Sequence, residues 1–117
     1  MGLKEKRKGE YGERVIRDLF REAFGDLIDP EDIKRGSVFQ KTSDVIGLPD
    51  IHVENKFVEK LNIHAAMKQA VEESEKRKDG MPTVFFKRSR EEVLVCMRFK
   101  DWKKLYRAYL NRLPFED

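Results

Sequence analysis

This sequence predicts an α/β domain, a mixed central sheet flanked by helices in the order α-β-β-β-α-β-β-α. Three observations predict it. Apolar residues recur at helical spacing in three separate stretches, near residues 10–24, 62–77 and 102–110. Between the first and second stretch, Ile51 to Phe57 alternates apolar and polar residues with the period of a strand. Helical and extended segments then interleave along the chain instead of forming separate blocks. No repeat, low-complexity run or linker divides the 117 residues, so residues 1–117 are expected to form one domain.

The first helix carries Tyr11, Val15, Leu19, Phe20 and Ala23 on one stripe and ends at Gly25. Ahead of it, Lys4, Lys6, Arg7 and Lys8 make a basic arm at residues 1–8. Asp29-Pro30-Glu31-Asp32 reads as a turn or a short helical start, because proline suits a first helical turn. Ser37-Val38-Phe39-Gln40 and Asp44-Val45-Ile46 read as strands, and Gly47-Leu48-Pro49-Asp50 as the turn before the strand at 51–57. In that strand Ile51, Val53, Asn55 and Phe57 share one face, and His52, Glu54 and Lys56 share the other.

Asn62 is placed to cap the second helix, whose buried side is Ile63, Ala66, Met67, Ala70 and Val71 and whose end is closed by Asp79-Gly80. Pro82 enters Thr83-Val84-Phe85-Phe86, apolar enough to be a central strand. Ser89-Arg90-Glu91 links it to a strand at residues 92–99. The last helix presents Trp102, Leu105, Tyr106, Tyr109 and Leu110, aromatics expected to pack against the sheet.

Charged residues make up 40% of the chain, against an ordinary quarter, and 25 lysines and arginines face 22 acids for a formal net charge of +3. That balance permits nucleic-acid binding without demanding it. Besides the N-terminal run, basic residues cluster at Lys34 and Arg35, at Lys87, Arg88 and Arg90, and along the final helix at Lys100, Lys103, Lys104, Arg107 and Arg112. Gathered on one face they would track a phosphate backbone; taken singly, each run reads as solvated surface. The single cysteine, Cys96, excludes an internal disulfide and a four-cysteine zinc site, and its apolar neighbours predict a buried structural thiol. No secretory or membrane-spanning pattern occurs, so the expectation is a cytoplasmic protein with no membrane association.

The chemistry-bearing group is Asp44, Glu54 and Lys56. Asp44 precedes a turn and Glu54 lies on the strand after it, so a hairpin can bring the two carboxylates together. Two carboxylates held close repel unless a cation sits between them. All-oxygen ligation, with the backbone carbonyl of Asn55 as a further donor, suits Mg2+, with Mn2+ as a substitute. Lys56 shares the Glu54 face and can orient a water or neutralise charge on a phosphate in the transition state. Glu-x-Lys alone is common in a chain this charged; its place opposite an apolar stripe, with Asp44 across a turn, is what lends it weight. Glu13 in the first helix and Gln69 in the second can approach the same edge.

Lys8-Gly9-Glu10-Tyr11-Gly12-Glu13-Arg14, Ser43-Asp44-Val45, Val53-Glu54-Asn55-Lys56 and Gln69 in a following helix together resemble the Holliday junction resolvase branch of the PD-(D/E)XK nucleases. The stretch from Ile51 to Lys56 followed by Glu59-Lys60-Leu61-Asn62-Ile63 is similar to small phage- and prophage-encoded members, and the likeness covers most of the chain. It implies a restriction-endonuclease-like fold and a metal-dependent endonuclease that hydrolyses DNA phosphodiesters, resolving four-way junctions in DNA recombination as a homodimer. It implies Asp44 and Glu54 as metal ligands, Lys56 as catalytic, Glu13 in support of metal or substrate, and Gln69 trimming the pocket. Ser43 matches a position near the active site.

Two departures from the pattern stand out. The literal Pro-Asp pair is Pro49-Asp50, but Asp50 on the same strand would lie roughly 13 Å from Glu54 at about 3.3 Å per residue, too far to share a cation. Asp50 is therefore read as a turn residue. The second departure is Asn55, a polar group expected to face a helix and to need a hydrogen-bond partner there. Glu10 lies on the Glu13 side of its helix and is assigned to solvent. Candidate DNA contacts are Lys8, Lys41, Ser43, His52 and Arg88. His52 and His64 show no zinc spacing with an acid or a cysteine. The alternatives are a related nuclease acting on nicked, flapped or linear DNA, a non-catalytic DNA-binding module, and a purely structural α/β protein.

Overall fold

A computed structural model of the chain describes residues 3–37 and 43–113, with side chains from residue 9 onward. Helix α1 (Leu3–Phe24) starts well ahead of the expected segment, and the side it buries is Ile16 and Phe20 with Val15 half-buried, while Tyr11, Leu19 and Ala23 of the expected stripe are exposed. Residues 3–8 are the helix's first turns rather than an arm, since Leu, Lys, Glu and Arg are all good helix formers. The side chain of Lys8 lies outside the described residues. Pro30–Asp32 forms a single 3-10 turn, started by the Asp29 carboxylate, which accepts the Glu31 N–H at 3.0 Å.

Residues 38–42, which hold most of the strand expected at Ser37 to Gln40 and also Lys41, lie outside the described residues. Among the described residues the first strand is β1 (Lys34–Arg35), antiparallel to β2 (Val45–Ile46). Its place is set by Ile33 just before it, fully buried under α1, whose Arg21 side chain donates to the Ile33 carbonyl at 2.8 Å. This small ribbon is tied to the main sheet where the Asp44 N–H donates to the Val53 carbonyl at 3.0 Å.

The main sheet is mixed and three-stranded, in the order β3 (Ile51–Phe57), β4 (Met81–Lys87), β5 (Leu94–Met97). Strands β3 and β4 are parallel, with Glu54 opposite Val84, and β4 and β5 are antiparallel. A parallel neighbour requires a crossover, and α2 (Ile63–Arg77) supplies it. Its start is capped as expected, by Asn62 Oδ1 accepting the Ala65 N–H at 3.1 Å. Its end turns through Lys78 in the left-handed region, one residue ahead of Asp79 and Gly80.

The two helices take opposite faces of the sheet. On one, Ile16 and Phe20 of α1 meet Val53, Phe57 and Phe85, joined by Ile33 and Val45. On the other, Ala66 and Ala70 of α2 meet Val84. These two alanines let the helix backbone come close to the sheet, and Ile63 and Met67 close the flank. The face of β3 that holds His52, Glu54 and Lys56 is therefore roofed by α2.

Gly12 marks the closest approach of α1 to β3. A Cβ there would lie 2.6 Å from Asn55 Nδ2 and 3.1 Å from the Phe57 ring. Gly12→Val is expected to destabilise the fold by about 2–3 kcal/mol, since either the helix lifts or Phe57 leaves its pocket. Urea unfolding checks this, and a loss below about 0.5 kcal/mol would mean that α1 is not seated on β3 in this way.

The C-terminal third departs most from expectation. Helix α3 (Phe99–Arg112) does not lie on the sheet: along it only Asp101 is buried, held by Arg98 Nε at 2.8 Å. Trp102 (46% exposed), Tyr106 and Tyr109 (58%) stack on one another instead, with Trp102 and Tyr106 nearly parallel at 5.1 Å. The sheet faces are already filled by α1 and α2, which leaves this apolar stripe no partner within the described chain. Cys96, on the outer strand β5, is half-buried rather than sealed in the core, and its neighbour Val95 is exposed. Among the described residues, no helix is long and apolar enough to cross a membrane.

Candidate functional site

The sheet edge where β2 meets β3 gathers most of the predicted residues. Asp44 enters it immediately before β2, and its Oδ2 accepts the Asn55 N–H of β3 at 2.7 Å. Glu54, one residue earlier on β3, is 5% exposed. Lys56 Nζ lies 3.7 Å from Glu54 Oε1, with its side chain still partly open to solvent. Glu13 reaches the edge from α1 and is held by Arg35 Nε of β1 at 3.2 Å. Asp44, Glu54, Lys56 and Glu13 are thus brought together from three separate places in the chain, α1, the start of β2 and β3.

The charges do not balance locally. Burial pushes the Asp44 carboxyl up, the charges of Glu54 and Glu13 push it further, and the Asn55 N–H and Lys56 only partly oppose them. The result is a carboxyl raised from 3.8 to about 7. Oδ1 of Asp44 has no hydrogen bond among the described residues. Half-buried Asp44 and buried Glu54, with Glu13 nearby and Lys56, Arg35 and one amide against them, are oxygen donors of the kind a hard divalent cation takes.

Gln69 is exposed on α2 and donates to Glu73 Oε1 at 3.4 Å. It shares with Lys56 an open depression of about 280 Å³, walled by Asn62 and Ala65. A larger cleft of 680 Å³ lies away from this edge, between the end of α2 and the start of α3 at Lys78, Arg98 and Lys104.

Two of the candidate DNA contacts are placed elsewhere. His52 is fully buried beneath α2, where no phosphate reaches it. Its Nδ1 lies 2.9 Å from both Ser43 Oγ and Asp79 Oδ1. Ser43 is also buried and donates to Asp79 Oδ2 at 2.8 Å, so it braces the imidazole instead of meeting DNA. Arg88 is exposed and lies 4.0 Å from Glu91, available to a phosphate. Asp50 is an exposed turn residue at positive φ, as expected. Asn55 does face α1, and its Oδ1 is buried without a hydrogen bond among the described residues.

His52 Nε2 faces Glu54 Oε2 at 3.8 Å and Glu73 Oε2 at 3.9 Å. Burial lowers the His52 pKa, but the carboxylates of Glu54 and Asp79 outweigh it and the net direction is up. Glu73 and Asp79 were absent from the sequence-based candidates. A signal existed: Gln69 and Glu73 are four apart on one helix face, and a crossover helix must cover one face of the strand it leaves. Asp79 carried no such signal, because Asp-Gly after a helix reads as a turn.

Comparison of the chain with protein families, with curated proteins and with solved structures gives no match.

Proposed function

We propose that this chain is a Mg2+-dependent endodeoxyribonuclease of the PD-(D/E)XK type acting on branched DNA, with four-way junctions as its substrate. The observation that carries this reading is the convergence of Asp44, Glu54 and Lys56 on one sheet edge, with Asp44 raised to about 7 by burial and by neighbouring acids. Asp44, Glu54 and the Asn55 carbonyl would hold the cation, with Glu13 beside them. When bound, Mg2+ supplies Lewis-acid polarisation of the phosphate and lowers the pKa of a water.

The chain's own groups do the rest. Lys56, partly exposed and anchored on Glu54 Oε1, meets the scissile phosphate at the rim, where it orients the attacking water and offsets charge building on the phosphoryl oxygens. Arg35 fixes Glu13, keeping that carboxylate at the edge. Gln69 borders the same depression and limits how the backbone enters it. Exposed Arg88 is a candidate for phosphate contact along the approach.

Resolution of a four-way junction needs two symmetry-related cuts, so a homodimer belongs to the proposal. The uncovered aromatic face of α3 is the surface we assign to joining two copies. Its Phe99, Trp102, Tyr106 and Tyr109 recur at the three-and-four spacing by which paired helices interlock.

The test is cleavage of a synthetic four-way junction and of matched linear duplex, with Mg2+ and with EDTA. Paired nicks in the junction, present only with Mg2+, are the expected result. Metal-dependent cutting without junction preference would move the substrate to nicked, flapped or linear DNA. Tight junction binding without cleavage in Mg2+ or Mn2+ would leave a DNA-binding module. Lys56→Met is expected to slow junction cleavage by about 10² while leaving junction affinity within a few-fold, since one rim cation adds little to binding. Equal losses in cleavage and binding would assign Lys56 to the DNA footprint alone.

A further inference from the structure

We propose that His52, Glu54 and Glu73 form a second cation site, one that takes a first-row transition dication such as Zn2+ in preference to Mg2+. The case begins with the imidazole. Side-chain partners crowd its Nδ1: Asp79 at 2.9 Å and Ser43 at 2.9 Å. An imidazole whose Nδ1–H is held by a carboxylate presents Nε2 as the ligating atom. Here Nε2 is buried and has no hydrogen-bond partner among the described residues. Its nearest polar neighbours, Glu54 Oε2 at 3.8 Å and Glu73 Oε2 at 3.9 Å, stand beyond hydrogen-bonding distance. A fully buried nitrogen without a hydrogen bond, aimed at two carboxylates, is a donor placed for a cation.

The gap has nearly the right size. The three donor atoms lie within 4.8 Å of one another, so an ion among them would sit roughly 2.5 Å from each, against about 2.0–2.2 Å for zinc bonds to nitrogen and carboxylate oxygen. Closing a few tenths of an ångström falls to Glu73, whose side chain is 34% exposed and whose contact with Gln69 is long at 3.4 Å. The same exposure gives an entry path and room for water to complete the coordination.

Each carboxylate is already turned for the task. Glu54 gives Oε1 to Lys56, and Glu73 gives Oε1 to Gln69, so both aim Oε2 at the imidazole. The line from Asp79 through His52 to the gap is the carboxylate–histidine–metal arrangement that fixes tautomer and ring orientation at metal centres. One imidazole and two carboxylates suit zinc or manganese, whereas Mg2+ prefers oxygen alone. Binding would clamp β3 to α2 through Glu54 and His52 on the strand and Glu73 on the helix. The site shares Glu54 with the proposed cleavage edge, but it stands on its own donors and does not depend on DNA cleavage.

The experiment is Co2+ titration of the full chain after EDTA treatment and desalting, read by visible absorption and competed with Zn2+ and with Mg2+. Expected are a ligand-field band reaching saturation, bleached by Zn2+ and untouched by excess Mg2+. Asp44→Asn should keep the band, His52→Asn should lose it, and Glu73→Ala should weaken Co2+ binding at least about tenfold. Because His52 lies in the core and its variant can fail to fold, Glu73→Ala on the open side of α2 is decisive once circular dichroism shows it folded. No Co2+ band, or an affinity unchanged in Glu73→Ala, overturns the inference. A band lost in Asp44→Asn but kept in Glu73→Ala would assign the ion to the Asp44–Glu54 pair, ending this inference while leaving the cleavage site intact.

Discussion

Glu54→Ala is expected to abolish Mg2+-dependent cleavage of a four-way junction, by at least about 10³-fold, or some 4 kcal/mol of barrier. No other side chain at the edge serves so many neighbours. Glu54 is 5% exposed, its Oε1 faces Lys56 and its Oε2 faces His52. It is also the carboxylate whose charge most raises Asp44. Removing it takes away a proposed cation ligand and the anchor of Lys56 in one step. Ala would also leave a void beneath α2 and take from Lys56 the carboxylate oxygen it faces, so the variant should also lose stability. Glu54→Gln separates these effects, because it keeps volume and hydrogen-bonding oxygen while losing charge. Cleavage should remain abolished in the Gln variant with most of the fold stability restored. Cleavage within tenfold of wild type in either folded variant would remove this edge from the chemistry.

Asp44→Asn should instead make the metal-free protein more stable, on the order of 2–4 kcal/mol at pH 8. The sign follows from the raised carboxyl. Folded Asp44 titrates near 7 and an unfolded aspartate near 3.8. Between those values the folded state keeps a proton that the unfolded state has lost. This contribution therefore favours folding at low pH, is withdrawn as pH rises from about 4 to about 7, and stays withdrawn above 7. Asn carries no such penalty, and its side-chain oxygen can still accept the Asn55 N–H that Asp44 Oδ2 accepts. Thermal melts in EDTA at pH 5 and pH 8 should show wild-type Tm falling over that range more than Tm of Asp44→Asn. Adding Mg2+ at pH 8 should raise Tm of the wild type and leave the variant nearly unmoved. Parallel pH profiles for the two proteins would show that Asp44 and Glu54 do not crowd each other in solution. A variant that gains stability as it loses cleavage would display the cost at which this edge is kept charged.

The elements were largely legible because each rests on a local rule. Period-two alternation placed β3 at Ile51–Phe57, Asn62 marked the start of α2, and the apolar run around Val84 marked the central strand. The trio Asp44, Glu54 and Lys56 was legible for a related reason: a short turn joins the segments, so sequence distance and spatial distance are both small. Local rules failed at β1. Lys34 and Arg35 have no strand signature, and they pair because Ile33 is pinned beneath α1.

What the sequence by itself determined is the class of fold, the alternation of elements and the identity of the acid–lysine edge, since periodicity, capping and turn chemistry act between near neighbours. Only the tertiary structure decided what covers each face. It roofed His52 and Glu54 with α2, brought Glu73 and Asp79 onto an imidazole that the sequence offered only as a candidate DNA contact, and left the aromatic side of α3 without a partner among the described residues. The physical reason is that period two tells which residues share a face but carries no information on which distant helix will bury it. A parallel crossover of the chain, set by the pairing of β3 with β4, made that choice.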